Sequence, residues 1–397
     1  MITQIEIKNF KSIVDLTMDL GRVNIIIGAN GCGKTNILEA FAFASAASQQ
    51  KLDNEFLLNR GIRVPNPQFL KPAFEDLETS ESIEFKITED SLSEKSFEVV
   101  YGNENKGWRE VLASERAQKF SDALLKILEQ NHLNEKEPID LKEISKNDLI
   151  EAFDQALTKF AKTEGIDSVR QMIRDSMVQK VLPTYLIFSP QENILRDQNT
   201  ESPIQPLGVN GEGLFQFLKE QWKNGNKELY EKLNSGLGML DWFDMFGLPN
   251  DLLSNEAKLE IGDRYLKESL HNFDQHSTNE GFLFLLFYLT LFYSKETPSF
   301  FAIDNIEASF NPKLCTHLVK ELIQAAKKND KQVILTTHNP FVLDALDLKD
   351  NDQRLFVARR DIDGHTRISR ILYNPKRTEK LSSVWMNGYI GGLPDNF

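Results

Sequence analysis

The run Gly28-Ala29-Asn30-Gly31-Cys32-Gly33-Lys34-Thr35-Asn36 places three glycines, a lysine and a hydroxyl at a set spacing. Closely set glycines let successive backbone N–H groups converge on one anion. A lysine directly after them meets the outer phosphates of a nucleotide, and the next hydroxyl binds Mg²⁺. Gly28, Asn30, Gly31, Gly33, Lys34, Thr35 and Asn36 are therefore candidate phosphate-binding residues, with Thr35 also a candidate metal ligand. Cys32 reads as a small residue at a free loop position rather than a redox switch. Far downstream, the apolar run Phe300-Phe301-Ala302-Ile303 ends in Asp304, suited to holding Mg²⁺ through water across from Thr35. A second apolar run, Val333-Ile334-Leu335, leads into Thr336-Thr337-His338-Asn339-Pro340. A strand ending in histidine can be plain structure. Beside a phosphate loop and a carboxylate strand, His338 reads as a sensor of the terminal phosphate. Glu307 lies just past Asp304, where a loop could turn its carboxylate back toward that phosphate; a salt bridge or an inter-subunit contact is the equal alternative.

Such a loop works only between a strand and a helix, and its flanks supply both. Val23-Asn24-Ile25-Ile26-Ile27 is β-branched and almost wholly apolar, as a central strand covered on both faces must be. Residues 37–47 form an amphipathic helical segment. Upstream, residues 2–8 alternate as a half-buried strand and residues 14–20 make a second. Ile83-Glu84-Phe85-Lys86-Ile87 and Phe97-Glu98-Val99-Val100-Tyr101 flank an acidic, serine-rich turn, which predicts a small antiparallel sheet. Between Glu110 and Lys180 apolar residues recur at helical spacing, as at Phe120, Leu124, Leu125 and Leu128. This predicts a helical insertion with too few heptads for a long coiled-coil arm.

A strand is expected over 182–188 and a helix over 214–222, with Trp242, Phe243 and Phe246 as core or lid. The last third alternates: helix 280–294, strand 300–303, helix 312–327, strand 332–336 and helix 341–346. A hairpin of 354–359 and 366–371 then turns at Asp363-Gly364. The expected parts are a nucleotide-binding segment at 1–48, a small β region at 49–109, the insertion at 110–181, a second nucleotide-binding segment at 182–350 and a hairpin with tail at 351–397.

Composition narrows the partners. Lys plus Arg number 46 against 59 Asp plus Glu, and the net charge of −13 argues against coating nucleic acid by global charge. Two cysteines, Cys32 and Cys315, exclude a disulfide framework or a four-thiolate metal site and fit a reducing cytosol, so a cytoplasmic location is expected. The N-terminus lacks the basic-then-apolar layout of a signal peptide. The longest apolar run, Phe282 to Tyr293, is short of the ~20 residues that span a bilayer and reads as a buried helix, so no membrane partner is expected.

The order of glycine loop, distant carboxylate strand and Thr-Thr-His strand, opened by Ile5-Glu6-Ile7-Lys8-Asn9-Phe10-Lys11-Ser12, resembles the ABC-type ATPases of the SMC, Rad50, RecF and OLD group. The resemblance covers roughly 1–48 and 182–350. It implies an α/β ABC-type P-loop ATPase head, a mixed sheet with flanking helices, carrying here the small antiparallel sheet and the helical insertion. It also implies that Lys11 and Ser12 lie near ATP, that Thr35 and Asp304 hold Mg²⁺, that Gln191 is a Q-loop residue, and that two heads sandwich the nucleotide. Ser277 and Gly281, in His276-Ser277-Thr278-Asn279-Glu280-Gly281-Phe282, stand where the group's signature opens a helix, without the usual Ser-Gly-Gly spacing. That helix start would face the terminal phosphate on a neighbouring subunit, which suits its dipole. The group usually has Glu directly after the Mg²⁺ carboxylate. Here it is Asn305, which orients water but takes no proton at neutral pH, so slow hydrolysis is expected, with Glu307 as the nearby acid. The tail from Trp385 to Phe397 and the compact insert resemble single-head ATPases of bacterial anti-phage systems of AbiL, PARIS or Septu type.

The resemblance thus implies an ATP- and Mg²⁺-binding, slowly hydrolysing homo-oligomer, at least a dimer, that regulates a separate effector, a nuclease or toxin. Two other readings stay open. One is a RecF- or Rad50-like repair ATPase, for which Arg354, Arg359, Arg360, Arg367, Arg370, Lys376, Arg377 and Lys380 are the candidate nucleic-acid face; a charged hairpin edge explains the same run. The other is a non-hydrolysing ATP-dependent scaffold. The residues after His338 are too few for a Toprim nuclease domain, which places any cutting in another chain.

Overall fold

In the computed structural model the described residues are 1–49, 51–64, 67–75, 77, 82–90, 94–101, 108–111, 155, 158, 182–197, 200–248, 259–267 and 272–393. The expected helical insertion lies outside them apart from a few positions. β1 (Ile2–Phe10) and β2 (Ile13–Asp19) form a hairpin, followed by the fully buried β3 (Val23–Ile27). The glycine loop then opens α1 (Lys34–Ser48), and a short α2 (Asn54–Leu58) follows. β4 (Ser82–Glu89), β5 (Glu94–Tyr101) and β6 (Trp108–Val111) complete a five-stranded antiparallel sheet in the order β2-β1-β4-β5-β6. The expected small sheet is thus built on the N-terminal hairpin, with Ile5 opposite Ile87 and Ile7 opposite Phe85.

After β7 (Ile187–Phe188) come α3 (Glu192–Arg196), α4 (Leu214–Lys223) and α5 (Lys227–Leu237). β8 (Phe243–Gly247), β9 (Glu260–Asp263) and β10 (Asn272–Phe273) make a three-stranded antiparallel sheet before α6 (Glu280–Tyr293). β11 (Phe300–Ile303), α7 (Pro312–Lys328), β12 (Gln332–Thr336), β13 (Gln353–Arg360), β14 (Thr366–Ile371) and α8 (Leu381–Met386) finish the chain.

The central sheet runs β14-β13-β3-β12-β11-β7, parallel except for the antiparallel β13–β14 hairpin. It has a core on each face. β3 sends Ile26 into the core shared with α1 and the five-stranded sheet, and Val23, Ile25 and Ile27 into the core around α6. That alternation explains why β3 reads as a continuous apolar run. Buried Asn24 is the exception. Its side chain accepts from Gly21 N and donates to Gly21 O, fixing the turn that feeds the strand. α6 is apolar on every side and buried from Phe282 to Tyr293, as a helix enclosed by core must be. Phe282 packs against the rings of Trp242, Phe243 and Phe246, which makes these aromatics core.

Two elements differ from expectation. The strand expected over 182–188 pairs only at its last two residues, because Ser45 and Ser48 of α1 take up the preceding backbone. Ser48 Oγ accepts from Leu182 N, and Ser45 Oγ donates to Pro183 O and accepts from Tyr185 N. The helix expected over 341–346 is a 3₁₀ turn, Pro340–Ala345, opened by an Asn339 cap. Among the described residues no helix is long and apolar enough to cross a membrane.

Candidate functional site

The site lies at the carboxyl ends of β3, β11 and β12, where a parallel sheet leaves its loops free to bind. The turn from β3 into α1 is left-handed at Gly31 and Gly33, with φ 76° and 104°. A side chain at Gly33 would run into Thr366 of β14, whereas one at Gly31 would meet nothing within 4 Å, so the loop is packed behind and open in front. Lys34 is buried, and its Nζ donates to the carbonyls of Gly28 (2.8 Å) and Ala29 (3.1 Å). Burial lowers its pKa from the ordinary lysine value, with Cys32, Asp304 and Glu307 acting in the opposite direction.

β12 lies between β3 and β11, which brings Thr35 and Asp304 together across 269 residues of chain: Thr35 Oγ1 donates to Asp304 Oδ2 at 3.2 Å. Thr336, at the end of β12, donates its hydroxyl to Asp304 Oδ1 and accepts the Asn305 N–H at 2.9 Å. Asn305 is left-handed at φ 58°, and Glu307 Oε1 accepts the backbone N–H of His338 at 2.7 Å. The other Glu307 oxygen is buried without a partner. Burial and then the Lys34 ammonium lower the His338 imidazole from its ordinary value, against the pull of Glu307 and Asp304. The structure therefore gathers Lys34, Thr35, Asp304, Asn305, Glu307 and His338 in one place.

Lys11 and Ser12 join the site from behind. Asn36 Nδ2 donates to Ser12 Oγ (2.6 Å), which shares a hydrogen bond with Thr366 Oγ1 (2.7 Å). Lys11 Nζ pairs with the fully buried Glu39 of α1 at 2.6 Å, and Arg63 Nε binds the other Glu39 oxygen at 2.8 Å. Arg63 also reaches Asn36 Oδ1 at 3.1 Å, and Arg360 Nε donates to Gly31 O at 2.8 Å. Lys11, Ser12, Asn36, Arg63 and Arg360 line one cleft of about 450 Å³ together with Phe69 and Phe74. Sequence reasoning did not assign Glu39, Arg63, Thr336 or Thr366 to the site. No spacing signals them, because each arrives from a different part of the chain: α1, the loop after α2, β12 and β14.

Gln191 starts α3, beyond the end of β7, with its side chain on Asn210. Ser277 bonds Asp274, and Asn279 caps α6. Arg196 Nη1 holds the intervening turn through the carbonyls of Gln275, His276 and Thr278. Among the described residues no hydrogen bond joins Gln191, Ser277 or Gly281 to the glycine loop.

The sequence pattern of the AAA ATPase domain family matches residues 1–343. The chain belongs to this family. An ATP/GTP phosphatase of Helicobacter pylori is 22% identical to this ATPase over 378 residues, 91% of this chain and 93% of that protein. An uncharacterized protein of Methanocaldococcus jannaschii, MJECL10, is 43% identical over 67 residues, 15% of this chain and 31% of that one. Among solved structures, an SMC head bound to the C-winged helix domain of ScpA is 14% identical, aligns over 94% of this chain and 98% of that one, and has a TM-score of 0.51. At that identity the fold is what is shared. The ATPase is an SMC-like ABC-type P-loop head, with a mixed sheet, flanking helices and a smaller antiparallel sheet. Family membership implies nucleotide binding.

Proposed function

We propose that the ATPase binds ATP with Mg²⁺ at the glycine loop, hydrolyses it slowly, and works as an oligomeric regulator of a separate effector, a nuclease or toxin, in anti-phage defence. The observation that carries the catalytic part is the meeting of Thr35 Oγ1 with Asp304, itself oriented by Thr336. A hydroxyl and a carboxylate so placed are the donor set of an Mg²⁺ site. The open front at Gly31 and the unpartnered Glu307 oxygen also fit a charged ligand there. When bound, Mg²⁺ neutralises charge on the β- and γ-phosphates.

The chain's own residues supply the rest. Lys34 exchanges the Gly28 and Ala29 carbonyls for phosphate oxygens, whose charge offsets part of the cost of burying the ammonium. Its burial holds it against the sheet, so its charge stays fixed on the loop. His338, uncharged near neutral pH, meets the terminal phosphate by hydrogen bonding. Asn305 orients the attacking water and Glu307 takes its proton. A site with a carboxamide beside the metal carboxylate turns over slowly, which suits a held ATP-bound state better than continuous cycling.

The signature turn, staked by Arg196 and unattached to its own loop, completes the site of a second copy through the start of α6. The defence role and the effector rest on the resemblance of the tail and insert to AbiL, PARIS and Septu ATPases. Calorimetry tests the site: Lys34→Ala abolishes ATP binding while the fold is kept, and unchanged affinity in the folded variant would remove the reading. Phage plating on cells carrying the gene with its natural neighbours tests the role, with protection lost on the same substitution.

A further inference from the structure

The chain beyond α8 crosses the glycine loop. α8 is pinned at its start, where Ser382 N and Oγ donate to the two carboxylate oxygens of Asp344 at 3.0 and 2.8 Å. Asp344 belongs to the 3₁₀ turn that begins at Pro340, directly after His338-Asn339. Val384 and Trp385 anchor α8, each 4% exposed. The chain then reverses at Gly388, φ 77°, where Gly388 N donates to Trp385 O (2.8 Å) and Tyr389 N to Val384 O (3.1 Å). Two further left-handed residues, Gly391 and Gly392 at φ 74° and 79°, lay the backbone on β13 and the loop. A methyl group at Gly392 would stand 2.9 Å from Val357 Cγ1, 3.3 Å from Gly28 Cα and 3.6 Å from Gly28 N. A side chain at Gly28 would in turn strike the Ala358 carbonyl and, at 2.7 Å, Cys32 Sγ. The first residue of the loop thus lies between β13, which leaves no room for a side chain at Gly28, and the tail, which leaves none at Gly392.

We infer that residues 388–393 are a brace of the phosphate loop, a positioning element that seats Gly28 and, through α8 and Asp344, ties it to the His338 end of β12. The inference rests on the reading of the loop as the ATP site and deepens it. The brace has two anchor points, the loop and the turn after β12. In the proposed site a triphosphate reaches His338, just before that turn, as well as the loop, and a diphosphate the loop alone, so ATP tightens the brace more than ADP does.

The test is hydrogen exchange and calorimetry on the full-length chain, comparing wild type with Gly392→Val and with Ile362→Ser, outside the brace and 99% exposed. Gly392→Val is expected to speed amide exchange at 28–35 of the nucleotide-free protein at least tenfold and to weaken ATP binding at least tenfold, while Ile362→Ser alters neither. In wild type, a non-hydrolysable ATP analogue is expected to protect 388–393 more than ADP. Wild-type exchange and affinity in a folded Gly392→Val overturn the brace, as does protection at 28–35 without any at 388–393. If wild type binds no ATP, the nucleotide reading fails. Faster loop exchange in Gly392→Val would still report the contact, so the two failures are distinguishable.

Discussion

Asn305 stands where a proton acceptor would speed turnover, and its backbone gives a reason for the exchange. At φ 58° it occupies the left-handed region, which Asn tolerates and longer side chains enter at about 1 kcal/mol or more. Its backbone N–H is spent on Thr336 Oγ1, and the residue is exposed. Glu307, fixed by the His338 N–H on one oxygen and unpartnered on the other, is the base in the proposed reaction. Steady-state phosphate release from purified protein is expected to fall at least tenfold in Glu307→Gln and to rise about tenfold in Asn305→Glu at saturating ATP. A rate well above ~1 s⁻¹ that survives Glu307→Gln contradicts both the slow site and the choice of base.

At the scale of elements, β12 carries His338 at one end and an unusual anchor at the other. Lys331, 2% exposed, donates to Thr297 O (2.7 Å), Thr297 Oγ1 (2.9 Å) and Pro298 O (3.2 Å), tying the strand to the segment that enters β11. Burial pushes its pKa down to about 8 from an ordinary 10.5. Between these values the unfolded chain binds a proton that the folded chain has released, so the stability contributed by this group rises with pH across the window. Denaturant titrations of wild type and Lys331→Met isolate it. The difference in unfolding free energy is expected to shift toward wild type from pH 8 to 10.5. A flat difference would mean that the three acceptors hold the ammonium charged throughout.

For the whole molecule, the proposed sandwich makes one site of the signature turn and the loop when two copies meet. Ser277 is exposed at that turn, and Gly281 in the first turn of α6 keeps its surface small. Light scattering at micromolar protein is expected to show at least a dimer with ATP. Ser277→Arg should return it to monomer while leaving nucleotide affinity within about twofold. A strict monomer with ATP bound by wild type contradicts the sandwich. The basic hairpin residues bear on the repair reading: Arg367 pairs with Asp361 at 2.7 Å, which offsets one charge of a nucleic-acid face, while Arg360 is turned to the Gly31 carbonyl and keeps its charge.

What was legible in the sequence is what is local in the chain. β3, β11 and β12 show as mostly apolar runs because they are covered on both faces, the glycine loop shows because phosphate chemistry fixes its spacing, and α6 shows because it is enclosed by core. β8, β9 and β10 were missed, being strands of 5, 4 and 2 residues, too short to display a period. The sheet order was beyond reach, since burying both faces depends on which distant strands pair. That order sets β13 beside β3 and so delivers Arg360, Thr366 and the tail glycines to the loop. It likewise sets β12 between Thr35 and Asp304. The residue types of the site were determined by the sequence alone; their meeting was decided by strand pairing and by packing across two cores, which no spacing along the chain encodes.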